Sequence, residues 1–287
     1  MQKVIDAHVH ILNDSLFHLK WLEGEPSLEK NSSLEDYHNA WKGQDRYEVE
    51  KIIHIETDAS LEDKERENAH FISVAKDPET AVDGVAVYID MINDNAAKVI
   101  EEKFKDEPVV KSVRYILHMP YEAPDLCLDP RFVENVKKLG KYGIKFEACL
   151  RPEDLGNCVK LAKLCPETDF ILNHMGIVDA TAWADDSRKD YVDAWEKNIS
   201  DLAALPNLTC KVSGLSSADV NLIAPIIDYC FDAFGEDRVM YASNFPVCKA
   251  NISLNDWTFA MLDISAKRGT EFQNKFFYDN AVKIYNL

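Results

Sequence analysis

Asp6-Ala-His-Val-His10 closes the first apolar run of the chain, and the fold turns on how it is read. In a strand, side chains alternate between faces, so His8 and His10 point the same way. Their Cα atoms then lie about 6.6 Å apart, twice the rise per residue. Two imidazoles at that spacing can converge on one cation or on one substrate oxygen, and neutral imidazole is the commonest protein metal ligand. A His-x-His pair says little alone. Here it ends the first strand of a chain of 287 residues, long enough for a barrel of βα units.

Working outward, short β-rich runs alternate with longer amphipathic ones. The runs 3–10, 51–57, 82–90, 110–117, 144–149, 169–174, 208–212 and 239–243 read as strands. Helical patterns cover 62–76, 95–104, 130–142, 153–164, 191–205 and 218–234, and two more, 254–267 and 271–285, close the chain. Strands alternating with helices imply a parallel sheet. Eight such units in about 250 residues or more match an α/β chain of (β/α)8 TIM barrel type. A doubly wound open sheet is the rival. No Gly-x-Gly-x-x-Gly follows the first strand, so a dinucleotide fold loses its best support. No repeat or linker breaks the chain, so one domain over 1–287 is expected. The segment 13–50 is too long for an ordinary βα connection, with a helical pattern at 16–22 and a polar stretch after it. Long ordered loops are often functional, so it reads either as a lid over the C-terminal mouth or as a solvated surface excursion.

The net charge of -18 disfavours nucleic acid and anionic membrane as partners and leaves a small molecule. Seven cysteines (Cys127, Cys149, Cys158, Cys165, Cys210, Cys230, Cys248) without Cys-x-x-Cys spacing read as reduced thiols, not as a disulfide framework. Neither a leader-type apolar stretch nor a run of about 20 apolar residues is present. A cytoplasmic enzyme is expected, with pairing into a homo-oligomer left open.

Barrel active sites are assembled from strand ends at the C-terminal face. Strand one delivers His8 and His10. Strand two places His54 and Glu56 on one face, with Glu56 nearer the mouth. Strand three ends in Tyr88 and Asp90. Strands four and five bring Arg114, Lys145 and Glu147, with His118 and Arg151 just beyond. Strand six ends in Leu172-Asn-His174-Met-Gly176, strand seven in Lys211 and Ser213, and strand eight in Ala242-Ser-Asn244-Phe-Pro-Val247. A substrate carboxylate would suit Arg114, Lys211 and Arg151. The competing reading of Arg114 is an ion pair with Glu147. Ser213 and Ser243 lack the Gly-x-Ser-x-Gly setting of an activated nucleophile. His54 reads as a core residue below the site.

At this point the sequence resembles the second amidohydrolase family. The likeness rests on the Asp6–His10 start, the His-x-Gly at His174, Cys210-Lys-Val-Ser-Gly-Leu215, Tyr241-Ala-Ser-Asn-Phe-Pro-Val247 and the closing Asn280-Ala-x-x-x-Tyr285. Within it, the branch of sugar-acid and pyrone-dicarboxylate lactonases matches best. The resemblance implies a distorted (β/α)8 barrel that opens an ester or lactone, some members using one divalent metal and others none. It also exposes a departure. Many amidohydrolases carry an Asp at the end of strand eight, where this chain has Asn244, and an amide is no base near neutral pH. Glu56 is then the first candidate to take the proton from water, ahead of Asp90 and Glu147. His8, His10 and His174 could hold one ion, zinc first, with an open water position. In a metal-free site they would bind the carbonyl oxygen themselves. Asn244 would fix the water or a substrate hydroxyl. The expected activity is hydrolysis of a small lactone of an organic or sugar acid. A decarboxylase or hydratase on the same scaffold, and a binding protein without turnover, are the alternatives.

Overall fold

The computed structural model describes every residue except Ser216 and Ala218. Eight strands alternate with helices along the chain, and the sheet they form follows chain order. They are β1 (Gln2–Val9), β2 (Tyr47–Ile55), β3 (Val82–Tyr88), β4 (Val110–Ile116), β5 (Lys145–Cys149), β6 (Phe170–Leu172), β7 (Leu208–Val212) and β8 (Val239–Tyr241). The chain groups into two compact units, one of residues 1–88 with 240–287 and one of residues 89–239.

In the first unit β1 pairs in parallel with β2, and β2 with β3. β2 starts four residues earlier than the apolar run suggests. Its polar start, Tyr47 to Val49, pairs with Gln2 to Val4 and so extends the ladder beyond the apolar pattern. The excursion shortens to match. It holds a two-stranded ribbon (Leu12–Asn13 with Asn31–Ser32), a 3-10 turn at Lys20–Gly24 where a helix over 16–22 was expected, and helix α1 (Leu34–Trp41). α1 starts at a capping box in which the Ser33 hydroxyl accepts from Asp36 N and the Asp36 carboxylate accepts from Ser33 N. α2 (Lys64–Ala75) follows β2.

The end of the chain returns to its start. Val9 bridges Phe245 in parallel, His10 N donates to Phe245 O (2.7 Å) and Asn244 N donates to His8 O (2.9 Å). β8 stops at Tyr241, two residues before the expected end, and Asn244 turns left-handed with φ 60°. Asp6, fully buried, fastens this junction. Its Oδ1 accepts from Ser243 N (2.9 Å) and His8 N (3.2 Å), and its Oδ2 accepts from the Tyr37 hydroxyl of α1 (2.8 Å). The closing helical pattern is not one helix. It runs as Thr270–Asn274, a π turn over Lys275–Asp279 and Asn280–Tyr285, and the wider turn lets the adjacent Phe276 and Phe277 both be buried.

In the second unit β4, β5, β6 and β7 pair in parallel, each with the next. The 95–104 pattern becomes a short helix, α3 (Ala96–Val99), running into a π turn at Ile100–Phe104. α4 (Pro130–Lys141) carries its apolar stripe at Phe132, Val133, Val136 and Leu139, all buried, behind an Asp129 cap with proline at the first position. The rings of Tyr115, Phe132, Phe146 and Phe170 meet edge to face at 5.5, 5.6 and 5.8 Å, tying α4 to three strands. α5 (Leu155–Leu164), α6 (Lys189–Ala203) and α7 (Val220–Phe234) complete the unit. The expected start of the last of these, at Ala218, lies outside the described residues.

Replacing Asp6 by Ala strands two backbone N–H groups and a buried hydroxyl. Each unsatisfied donor costs about 1–3 kcal/mol, so Asp6→Ala should lose about 3 kcal/mol or more, and Tyr37→Phe about 1 kcal/mol. Urea midpoints at constant m-value measure both. Equal losses would mean that the carboxylate does not hold the junction.

Candidate active site

In the first unit the two histidines of β1 meet as their spacing requires. His8 Nε2 and His10 Nε2 lie 3.1 Å apart, with the rings edge to face. His8 is fully buried and His10 nearly so. His10 Nδ1 sits 3.1 Å from the carbonyl oxygen of Ile55, an acceptor only, so Nδ1 carries the proton and Nε2 the lone pair. Asn244 stands next to the pair in the backbone network, its own N–H on His8 O, and is 8 % exposed. Among the described residues its side-chain amide makes no hydrogen bond, so it can serve a ligand.

Glu56 is placed otherwise than expected. His54 and Glu56 do share a face, but it is the one that packs on α2: the His54 ring stacks on Phe71 at 3.6 Å. Glu56 is 1 % exposed, and its Oε2 accepts from Lys64 Nζ (3.1 Å) and Asp58 N (2.9 Å). Lys64 also reaches Asp58 (2.8 Å) and lies over the Tyr88 ring. Burial pushes the Lys64 ammonium down, but the charges of Glu56 and Asp58 outweigh it and leave it above the usual range. A carboxylate engaged in this way is a poor acceptor for the proton of an attacking water.

Sequence reasoning passed over Glu67 on α2. Its Oε1 accepts from Thr57 N (2.6 Å) and the Thr57 hydroxyl (2.5 Å), while its Oε2 is buried without a hydrogen-bond partner. Burial, then the nearby charge of Glu56, pushes its carboxyl up to about 7. The same stretch grips the excursion. Trp21 Nε1 donates to Thr57 O (2.8 Å), His18 N to Asp63 Oδ2 (2.9 Å) and Ser60 N to His18 O (2.8 Å).

In the second unit His174 is 7 % exposed, and its Nδ1 lies 2.8 Å from the Ser213 hydroxyl. It opens a run of four residues at positive φ: His174 (56°), Met175 (51°), Gly176 (76°) and Ile177 (53°). Left-handed backbone costs an L-residue about 1–2 kcal/mol, and three of these four are not glycine, so the turn exists only because its surroundings hold it. Trp195 Nε1 donates to Met175 O (2.9 Å), and Asn173 Nδ2 donates to Glu147 Oε2 (2.9 Å). Gly214, at φ +70°, lies beneath the imidazole, where a Cβ would come within 2.6 Å of the ring.

Lys211, expected to meet substrate, is fully buried and donates to Glu147 Oε2 at 2.5 Å. Glu147 also accepts from the Ser112 hydroxyl (2.8 Å). Burial pushes the Glu147 carboxyl up, but Lys211 with Asn173 and Ser112 overcomes this and holds it below the usual carboxylate range. Arg114, 5 % exposed, faces Glu147 across the β4–β5 ladder. Arg151 bonds Asp154 (2.5 Å), Met119 O (2.9 Å) and Glu122 O (3.3 Å), which commits it to fastening the connection after β4. His118 Nδ1 lies 3.4 Å from Cys149 Sγ. All seven cysteines are free, and burial pushes Cys248, in the 3-10 turn that follows β8, up to about 12.

Two imidazole nitrogens 3.1 Å apart are spaced as two ligands each about 2.0–2.1 Å from one ion would be. Among the described residues no group of three or more His, Cys, Asp or Glu side chains is placed to hold a metal ion, so the fit to a metal rests on the His8–His10 pair. The raised carboxyl of Glu67 carries its own consequence. The folded state holds this proton more tightly than the unfolded chain, so stability falls as pH rises from about 4.5 to about 7 and is flat above. Glu67→Gln should flatten that slope and gain up to about 3 kcal/mol at pH 8 relative to pH 4. Thermal unfolding of both proteins across that range checks it; parallel curves would contradict a raised Glu67.

The amidohydrolase family model matches residues 5–287. The L-rhamnono-gamma-lactonase of Scheffersomyces stipitis is 25 % identical, with 99 % of each chain covered. The structure of amidohydrolase 2 from Bifidobacterium longum subsp. infantis is 25 % identical and superposes with a TM-score of 0.76 over 100 % of both chains. An amidohydrolase from Burkholderia multivorans, solved with bound zinc, shares the fold at a TM-score of 0.84, with 20 % identity and 99 % of each chain covered. No helix among the described residues is long and apolar enough to cross a membrane. The fold is the (β/α)8 barrel read from the strand pattern, and the chain belongs to the amidohydrolase family.

Proposed function

We propose that this chain hydrolyses small lactones of sugar or related organic acids, with water as the nucleophile. The observation that carries the reading is the His8–His10 pair, two ring nitrogens 3.1 Å apart on a backbone that Asn244, at the end of the last strand, bonds through its own N–H. The nearly full-length likeness to a rhamnonolactonase supports the substrate class.

The Ile55 carbonyl holds the proton of His10 on Nδ1, so Nε2 is the basic atom; when the substrate carbonyl draws the His8 Nε2–H away from it, that lone pair accepts the proton of the attacking water. The His8 Nε2–H stabilises the oxygen on which negative charge develops as water adds to the carbonyl carbon. When the acyl C–O bond of the ring breaks, the proton on His10 passes to the leaving alkoxide, and the product is a hydroxy acid. The Asn244 amide orients a substrate hydroxyl. Taken by itself, the second unit offers His174 and Arg114 as groups for chemistry of the same class, the imidazole for the reacting oxygen and the guanidinium for an acidic group. Glu56 has no part in proton transfer, and Arg151 none in substrate binding. A divalent ion, zinc by its preference for nitrogen donors, would be held by His8 and His10 and would supply Lewis acidity and a more acidic water. The free thiols support a reducing, cytoplasmic setting.

Proton release from a panel of sugar-acid and dicarboxylate lactones, with and without a chelator, tests the activity; silence across the panel would refute it. Loss on chelation that zinc restores would assign the ion, and unchanged turnover would assign the metal-free site. His10→Ala should lower kcat at least about 100-fold, whereas Glu56→Gln should stay within about threefold, below ~0.7 kcal/mol of barrier. A large loss in Glu56→Gln would return the proton-accepting role to that carboxylate.

A further inference from the structure

The contacts around Glu147 close on themselves. Glu147 Oε2 accepts from Asn173 Nδ2, and Asn173 immediately precedes the left-handed turn at His174. The His174 ring bonds Ser213, which lies two residues beyond Lys211. Lys211 Nζ returns to the same Glu147 oxygen at 2.5 Å. The carboxylate therefore grips the residue before His174 with one donor. Through Lys211 it grips the strand end that carries the ring's own partner with the other. Ser112 occupies its second oxygen, and Gly214 lets the ring lie directly on the β7 end.

Neither member of the pair is placed like a substrate ligand. Glu147 and Lys211 are both fully buried. A buried ion pair is weak evidence of stability, because apolar residues of the same volume would serve as well or better. An ordered pair beneath a strained turn is a different matter: strain of this kind persists where surroundings over-determine it, and it gathers at functional positions. We infer that Glu147 and Lys211 form a buried clamp whose task is to aim the imidazole of His174, each acting as a positioning residue. The inference rests on the reading of His174 as part of the reaction, but the position of its ring can be measured without any substrate.

The test uses Glu147→Gln/Lys211→Met, which removes both charges and leaves neither buried alone, and Asn173→Ala, which cuts one arm and spares the pair. Long-range proton–nitrogen correlation spectra of the ring nitrogens report tautomer and hydrogen bonding of His174. In the wild type one tautomer is expected. In both variants the Nδ1 resonance should move or split while the thermal transition stays cooperative. On a lactone the wild type hydrolyses, kcat should fall at least tenfold, with KM within about threefold of the wild type. A merely structural pair would shift the unfolding temperature and leave ring spectrum and kcat unchanged; that result in either variant overturns the clamp. If the double variant does not fold, Asn173→Ala decides alone. If the wild type hydrolyses no lactone, the functional proposal fails, and the ring spectrum still decides the clamp.

Discussion

One carboxylate, sealed from water, ties the first strand to the end of the last. Asp6 accepts a backbone N–H from its own strand, and a second N–H and a tyrosine hydroxyl from two segments distant in sequence. Burial pushes its carboxyl above the usual range while those donors pull it back, so the group is tolerated because it is bonded. Much of the arrangement around His8 and His10 follows from this. With Ser243 on Asp6, Asn244 can reach His8 O and Phe245 O can accept from His10 N. The backbone that bears both imidazoles is then held on its partner side too, and their nitrogens meet at 3.1 Å.

The second unit solves a similar problem with a charge pair. The desolvation of Lys211 and Glu147 is offset by their mutual bond and by two further donors. Both solutions place a fully bonded carboxylate one layer behind a histidine. Metal-ligating and catalytic histidines are typically supported by such outer partners. In this chain the two carboxylates act on backbone and on neighbouring side chains.

Much of the fold was legible because its signals are local. Each β run carries its own apolar character and each helix its own stripe, so all eight strands were found and most ends moved by only one to three residues. The His8–His10 spacing is legible for the same reason: alternation within one strand decides it. Glu56 shows where that logic stops. Alternation says that Glu56 shares a face with His54, but not whether that face meets helix or substrate, and the Phe71 ring answers it only in the folded chain. Lys211 could be recognised as a cation at a strand end, but its partner is 64 residues away and no periodicity links them. The left-handed run at His174 has one glycine to announce it, and the other three residues adopt it under tertiary constraint. Tyr37 and Glu67 sit on helices whose sequences mark them as ordinary surface or core positions.

The excursion after the first strand is pinned at His18, Trp21 and Tyr37. Pinning divides a long loop into short spans, and closure entropy grows only slowly with span length. Residues 24–30, mostly exposed, fall between the pins. Lengthening the exposed tip of that span would leave those three pins in place, which makes it a tolerant point of insertion while the histidine-bearing framework goes untouched.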